Sequence, residues 1–116
     1  MLIYQTNRRQ IIDTNSITEI LETYKKYGWV LRRVLLTDAL KTSLKPDEKS
    51  LFGGVPVIAS DIDAAWFSRP PNAWEVRHLS SNPYALLEHI DENSSDFEEK
   101  LAAVETRLRA AVRRDS

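Results

Sequence analysis

Apolar residues fall at Ile17, Ile20, Leu21, Tyr24 and Tyr27, the i, i+3, i+4, i+7 spacing that lines one face of a helix. Ser16 and Glu19 form an S-x-x-E capping box ahead of that run and Gly28 supplies a stop, so the pattern predicts a helix over 16–27. The period then changes. In "WVLRRVLLT", residues 29–37, β-branched and aromatic side chains crowd together as in a strand, and strict alternation sends Arg32 and Arg33 to opposite faces. Residues 1–15 follow neither period and read as an N-terminal arm, with at most a short edge strand over 2–4.

Residues 38–54 have the composition of a connection: "DALKTSL" allows a turn or two of helix, "KPDEK" interrupts it, and Gly53-Gly54 closes it. The glycine pair lacks the lysine and the spacing of a phosphate loop and reads as a flexible entry to the next strand. In "SDIDAAWFSRPPNAWEVRHL", residues 60–79, two strand-like runs flank Pro70-Pro71-Asn72. Proline cannot donate to a ladder, which confines the pair to the turn of a hairpin. An odd-length loop opposes Arg69 to Ala73, Trp66 to Val76 and Ala64 to His78. It gathers Ile62, Ala64, Trp66, Trp74 and Val76 on one face, whereas a slip of one residue sets Trp66 against Glu75. Asp61, Asp63, Phe67, Arg69, Glu75 and Arg77 take the other face.

"NPYALLEHID", residues 82–91, admits two readings. Asn82 and Pro83 suit the N-cap and first position of a helix, while a short apolar run between turns, directly after a strand, suits a third meander strand. The strand is adopted here. Setting Leu79 opposite Ala85 brings Leu86 and Ile90 to the Trp face, His89 opposite Glu75 and Asp91 opposite Ala73, and it avoids facing Glu75 with Glu88. A last helix starts at the capping box of Ser95 and Glu98 and carries the stripe Phe97, Leu101, Val104, Leu108, Ala111 and Val112. Its acidic start and arginine-rich end match the helix macrodipole. The chain therefore reads as one α+β domain over 16–113 with a tail at 114–116: a mainly antiparallel sheet with a three-stranded meander and two helices packed on its Trp face.

Composition narrows the function classes. With 42% hydrophobic and 28% charged residues the chain belongs with folded globular domains rather than disordered segments. Sixteen basic residues against seventeen acidic ones leave no field to steer polyanions, so nucleic-acid contact through Arg8, Arg9, Arg32 and the C-terminal arginines is a minor alternative. The lack of cysteine removes disulfides, thiolate nucleophiles and Cys-containing zinc motifs. No apolar run approaches the ~18 residues of a spanning helix, and the expected location is the cytoplasm, away from membranes.

Asp61-x-Asp63, behind Val55, Val57 and Ile58, resembles over a handful of residues the phosphatase and mutase superfamily, in which the first Asp accepts a phosphoryl group and the second serves as acid and base. Here Ala64-Ala65-Trp66 replaces the small flexible turn that follows in that superfamily, no second carboxylate pair appears, and the chain is too short for its large parallel sheet. The two aspartates are expected on the solvated face, paired with Arg77 or lysines. His78 and His89 fall on different faces, so no metal site is expected and His78 reads as a hydrogen-bonded rim histidine. Ser68, Ser80 and Ser81 lack a nucleophile elbow. No catalytic residue and no cofactor are expected.

One constellation remains. Asp63, Phe67, Arg69, Glu75, Arg77, His89 and Asp91 share the second face, a mixed-sign grid with the apolar anchors Phe67 and Leu79, joined by Leu87. "SDIDAAWFSRP", "WEVRHL" and "PYALLEHID" followed by a charged amphipathic helix are similar, from Ser16 to about Val112, to small bacterial single-domain proteins without an assigned activity, and that likeness transfers no functional residue. The expectation is a non-enzymatic binding module that self-associates through the open sheet face as a homodimer or takes a protein partner. The alternative is a small enzyme or anionic-ligand binder using Asp63, Arg77, Glu75 and His89.

Overall fold

The computed structural model describes residues 12–44 and 48–114. Most of the arm expected over 1–15, and the end of the tail, lie outside the described residues. Helix α1 (Thr14–Lys26) begins before Ser16 because Asp13 is its cap: the Asp13 carboxylate accepts from the Ser16 N–H at 2.8 Å and from its hydroxyl at 3.0 Å. Asp13 stands three residues ahead of Ser16, the separation of an N-cap from its N3 donor, and its carboxylate competes for the role assigned to Ser16. Gly28 ends the helix as expected, at φ 88°.

Strand β1 (Val30–Leu36) carries a bulge between Leu31 and Arg33, where its pairing shifts by one residue. The extra residue breaks the alternation. Arg33 therefore lies across from Trp66 and forks onto Glu98 at 2.9 Å through both nitrogens, while Arg32 stacks on Trp74 and bonds Ser68 and Glu92. Both arginines reach the Trp side of the sheet, and the expectation of opposite faces is corrected.

The connection after β1 is a crossover. Helices α2 (Asp38–Leu44) and α3 (Glu48–Phe52) return the chain to β2 (Val57–Ala59), which runs parallel to β1 with Val34 beside Val57. A parallel neighbour cannot be reached by a tight turn, and two short helices supply the length needed. Strands β3 (Ala64–Arg69) and β4 (Ala73–His78) form the hairpin in the register predicted, with Arg69 across from Ala73, Trp66 from Val76 and Ala64 from His78. The segment 85–89 is a strand, β5 (Ala85–His89), antiparallel to β4. Its register differs from the prediction by two residues: His89 lies across from Ala73 and Leu87 from Glu75. A slip of two preserves parity, so Leu86 and Ile90 still join the Trp face.

The sheet order is β2-β1-β3-β4-β5, antiparallel except between β2 and β1. Helix α4 (Phe97–Arg114) packs Leu101, Val104 and Leu108 against Trp66, Trp74 and Val76. The Trp66 indole N–H donates to Glu105 at 2.7 Å, which satisfies its one donor. The other helices lie on the opposite face, where Ile17, Ile20, Leu40 and Phe52 bury Ala65, Phe67, Val34 and Leu36. The expected placement of two helices on the Trp face holds for α4; α1, with Leu21 and Tyr24, takes the other side, and the sheet is sandwiched. No helix among the described residues is long and apolar enough to cross a membrane.

Candidate functional site

The residues expected to form a charged open face separate into structural roles. Phe67 is 1% exposed and Leu79 fully buried, both under the α1 layer, so neither is a surface anchor. Tyr24 carries this cover: its ring stacks on Phe67 at 4.0 Å between centroids, and its hydroxyl donates a short hydrogen bond to Glu75. Burial and the neighbouring carboxylate push the Tyr24 phenol well above its usual value. Arg69 caps the end of α1, donating to the Tyr27 carbonyl at 3.0 Å with its guanidinium over the Trp29 ring. Arg77 donates to the carbonyls of His78, Ser80 and Asn82 and so holds the loop between β4 and β5, and burial lowers its pKa.

The aspartates pair with neither Arg77 nor a lysine. Asp63 accepts from the Thr37 N–H at 2.8 Å, and Thr37 in turn caps α2 by accepting from Leu40 N–H at 3.2 Å. Asp61 binds Arg109 of α4 at 2.7 Å. Asp91 closes the turn before α4, accepting from Asn93 N–H at 2.9 Å. His78 is buried and hydrogen-bonded, as a rim histidine should be, with Nδ1 2.8 Å from the Ser80 hydroxyl. His89 is exposed on β5. Glu75 and Arg77 share the neighbourhood of Tyr24, whereas His89 lies beyond them across from Ala73. Of the arginines of the minor nucleic-acid reading, Arg32 pairs with Glu92, Arg107 with Glu88 and Arg109 with Asp61, Arg113 and Arg114 make no ion pair among the described residues, and Arg8 and Arg9 lie outside the described residues.

The exposed part of the expected face survives at its β4–β5 end. Glu75 and Arg77 alternate along β4, Ala85, Leu87 and His89 along β5, and Leu87 is 45% exposed. Helix α1 reaches only to Glu75, through Tyr24, and α4 lies on the reverse side. Among the described residues the strand itself is an edge. Ile90 N–H donates to Asn72 O and His78 N–H to Tyr84 O, both at 2.9 Å, which assigns the even-numbered residues of this segment to the ladder with β4. Alternation then points the N–H and C=O of Ala85, Leu87 and His89 away from the sheet.

Beside this strip lies a groove of about 430 Å³ lined by Thr23, Tyr24, Tyr27, Trp29, Arg69 and Glu75, with Tyr27 62% exposed at its rim. The sequence reading missed it because Tyr24 and Tyr27 were both assigned to the buried stripe of α1. Tyr27 sits at the helix end, past the sheet, and the spacing that placed it on the stripe carries no information about where the covered surface stops. No family model matches the chain, and neither curated proteins nor solved structures provide a match, so these surfaces are read from their own geometry.

Proposed function

We propose that this protein is an interaction module that pairs with a second copy of itself, edge to edge, through β5. The observation that supports the reading is the backbone of Ala85, Leu87 and His89, unpaired among the described residues, beside a strip that no helix of the described residues covers. Proteins usually blunt such an edge with proline, lysine, a bulge or a covering loop. Here Pro83 lies ahead of the strand, and the strand contains no lysine.

Antiparallel self-pairing has a preferred centre. With Leu87 facing the partner's Leu87, each outward residue finds a hydrogen-bonding mate, small Ala85 lies beside the larger His89, and Glu88 faces Leu86. Centring on Glu88 opposes two like charges, and centring on Leu86 sets His89 against Pro83, which has no N–H to give. A strand this short buries less than the ~800 Å² per partner of a stable interface, so the dimer is weak and concentration-dependent.

Light scattering coupled to size exclusion over a concentration series tests it. The mass should rise toward twice that of the chain at the highest concentrations. Leu87→Pro removes an outward N–H without touching the ladder to β4, and should hold the protein monomeric. A protein that stays monomeric throughout, or a dimer indifferent to Leu87→Pro, overturns the proposal.

A further inference from the structure

At the opposite end of the hairpin from its proline turn, the start of β3 and the end of β4 meet the last turns of α4. They enclose a cleft of about 190 Å³ lined by Asp61, Ile62, Asp63, His78, Arg109 and Arg113, with Val112. This is room for about six water-sized groups, well below the pocket of a drug-sized ligand. Most of the polar groups lining it are already engaged. Asp61 neutralises Arg109, and Asp63 holds the Thr37 N–H at 2.8 Å.

Two groups are not engaged. The Ser80 hydroxyl lies 3.3 Å from the Asn82 carbonyl, and when it donates there the 2.8 Å contact between that oxygen and His78 Nδ1 takes its proton from Nδ1, the tautomer on which the inference rests. The neutral ring then carries its lone pair on Nε2. Burial, aided by Arg77 and opposed by Asp63, lowers the pKa of the imidazole and keeps it an acceptor. His78 is 5% exposed, and its Nε2 has no protein donor among the described residues. A buried acceptor left in that state at the wall of a cleft calls for a donor from outside the fold. Arg113, on the helix side, is exposed and makes no ion pair among the described residues, so its guanidinium fork is open to a ligand.

We infer that this cleft binds a small carboxylate bearing a hydrogen-bond donor, hydroxyl or ammonium, on the adjacent carbon. The carboxylate lies on the fork of Arg113 and the donor meets His78 Nε2. A guanidinium matches a carboxylate through two parallel hydrogen bonds, and the volume matches molecules of five or six heavy atoms, about one water-sized group each. A metal ion is the poorer occupant: no set of three His, Asp or Glu among the described residues converges to hold one.

The test is an NMR titration of the full chain, observing the His78 ring resonances, with glycolate, glycine and acetate as probes at millimolar concentrations. Glycolate or glycine should shift those resonances saturably, and which of them does so identifies the donor as hydroxyl or ammonium. Acetate, which has the carboxylate alone, should bind about tenfold more weakly, as expected for the loss of one good polar contact. Arg113→Gln, an exposed change that leaves the core intact, should weaken the productive probe by a similar factor. His78→Phe should abolish the preference over acetate, provided its spectrum shows a folded protein. No saturable shift with either probe, acetate binding as tightly as glycolate and glycine, or an Arg113→Gln protein that binds unchanged overturns the inference. The β5 edge is tested separately by the mass series, and none of these outcomes bears on it.

Discussion

Strands β3 and β4 pair along their whole length yet live in different environments. In β3, Ala64, Ala65, Trp66 and Phe67 are buried one after another, whereas β4 alternates buried and half-exposed from Ala73 to His78. The difference follows from what covers them. β3 is central, with α4 over Trp66 and the α1 layer over Phe67; β4 has α4 over Trp74 and Val76 but only the Tyr24 hydroxyl over Glu75. A run without alternation belongs to a strand covered on both faces, and alternation to one covered on a single face. The run "AAWF" thus announces a second helical layer, and reading parity alone, which sorts residues into two faces, does not say whether both faces are covered.

The sharpest way to break this comparison is to truncate each face of β3 in turn. Trp66→Ala and Phe67→Ala should each cost ~3–5 kcal/mol in urea denaturation, because both leave a cavity between the sheet and a helix. An open second face would make Phe67→Ala cheap. A cost under ~1 kcal/mol for Phe67 would place α1 elsewhere, since an exposed truncation rarely costs more.

The hairpin was legible down to its register because two independent signals agreed: prolines that cannot pair fixed the turn, and the tryptophans' need for burial fixed the parity. The register of β5 had only one weak signal, a like-charge argument. The six-residue loop from Leu79 to Tyr84, built by Arg77 on carbonyls, moved the pairing by two. Main-chain carbonyls gathered by one side chain leave no trace in composition. The β1 bulge was equally silent, and so both arginines were misplaced. Position in a pattern revealed faces; the partners of Asp63, Asp61 and Glu75 depended on where loops and helix ends arrive, and those were not legible.

Asp61 and Asp63 sharpen that point. Both lie in the loop before β3 and both looked like solvated, dispensable charges. Asp63→Ala should now cost ~1.5–3 kcal/mol, the range for hydrogen bonds to a charged group, since it strands the Thr37 N–H at the start of α2. Asp61→Ala removes an exposed ion pair with Arg109 and should cost under ~1 kcal/mol. Thermal melts of the two proteins side by side check the ordering, and equal costs would mean that Thr37 finds another acceptor.

His78 extends the contrast to pH. Its folded pKa is lowered, chiefly by burial, so near and below the ordinary value of ~6.5 the unfolded chain binds a proton that the native state resists. Its contribution to stability is present above that value and declines as pH falls through the window between the two. Asp61 and Glu98, held below the ordinary carboxylate range by Arg109 and Arg33, act in the same direction but at lower pH. Denaturation at pH 7.5 and pH 5.5 should show the native protein losing stability and His78→Phe losing less; identical slopes would mean that the ring is protonated without penalty.

The smallest effect on folding belongs to β5, the one-sided extreme of the comparison. Leu87→Lys places a charge where the side chain is already 45% exposed, opposite Glu75 across the ladder, and folding stability should stay within ~0.5 kcal/mol of the parent. The same change sets two lysines face to face at the centre of the proposed β5 pairing, where like charges directly opposed are destabilising. A denaturation midpoint that does not move, together with loss of the high-concentration dimer, separates an edge used for association from one that merely completes the sheet. If Leu87→Lys lowers the midpoint as much as a core truncation does, β5 is covered in solution by part of its own chain, and the one-sided reading of the β4–β5 end is wrong.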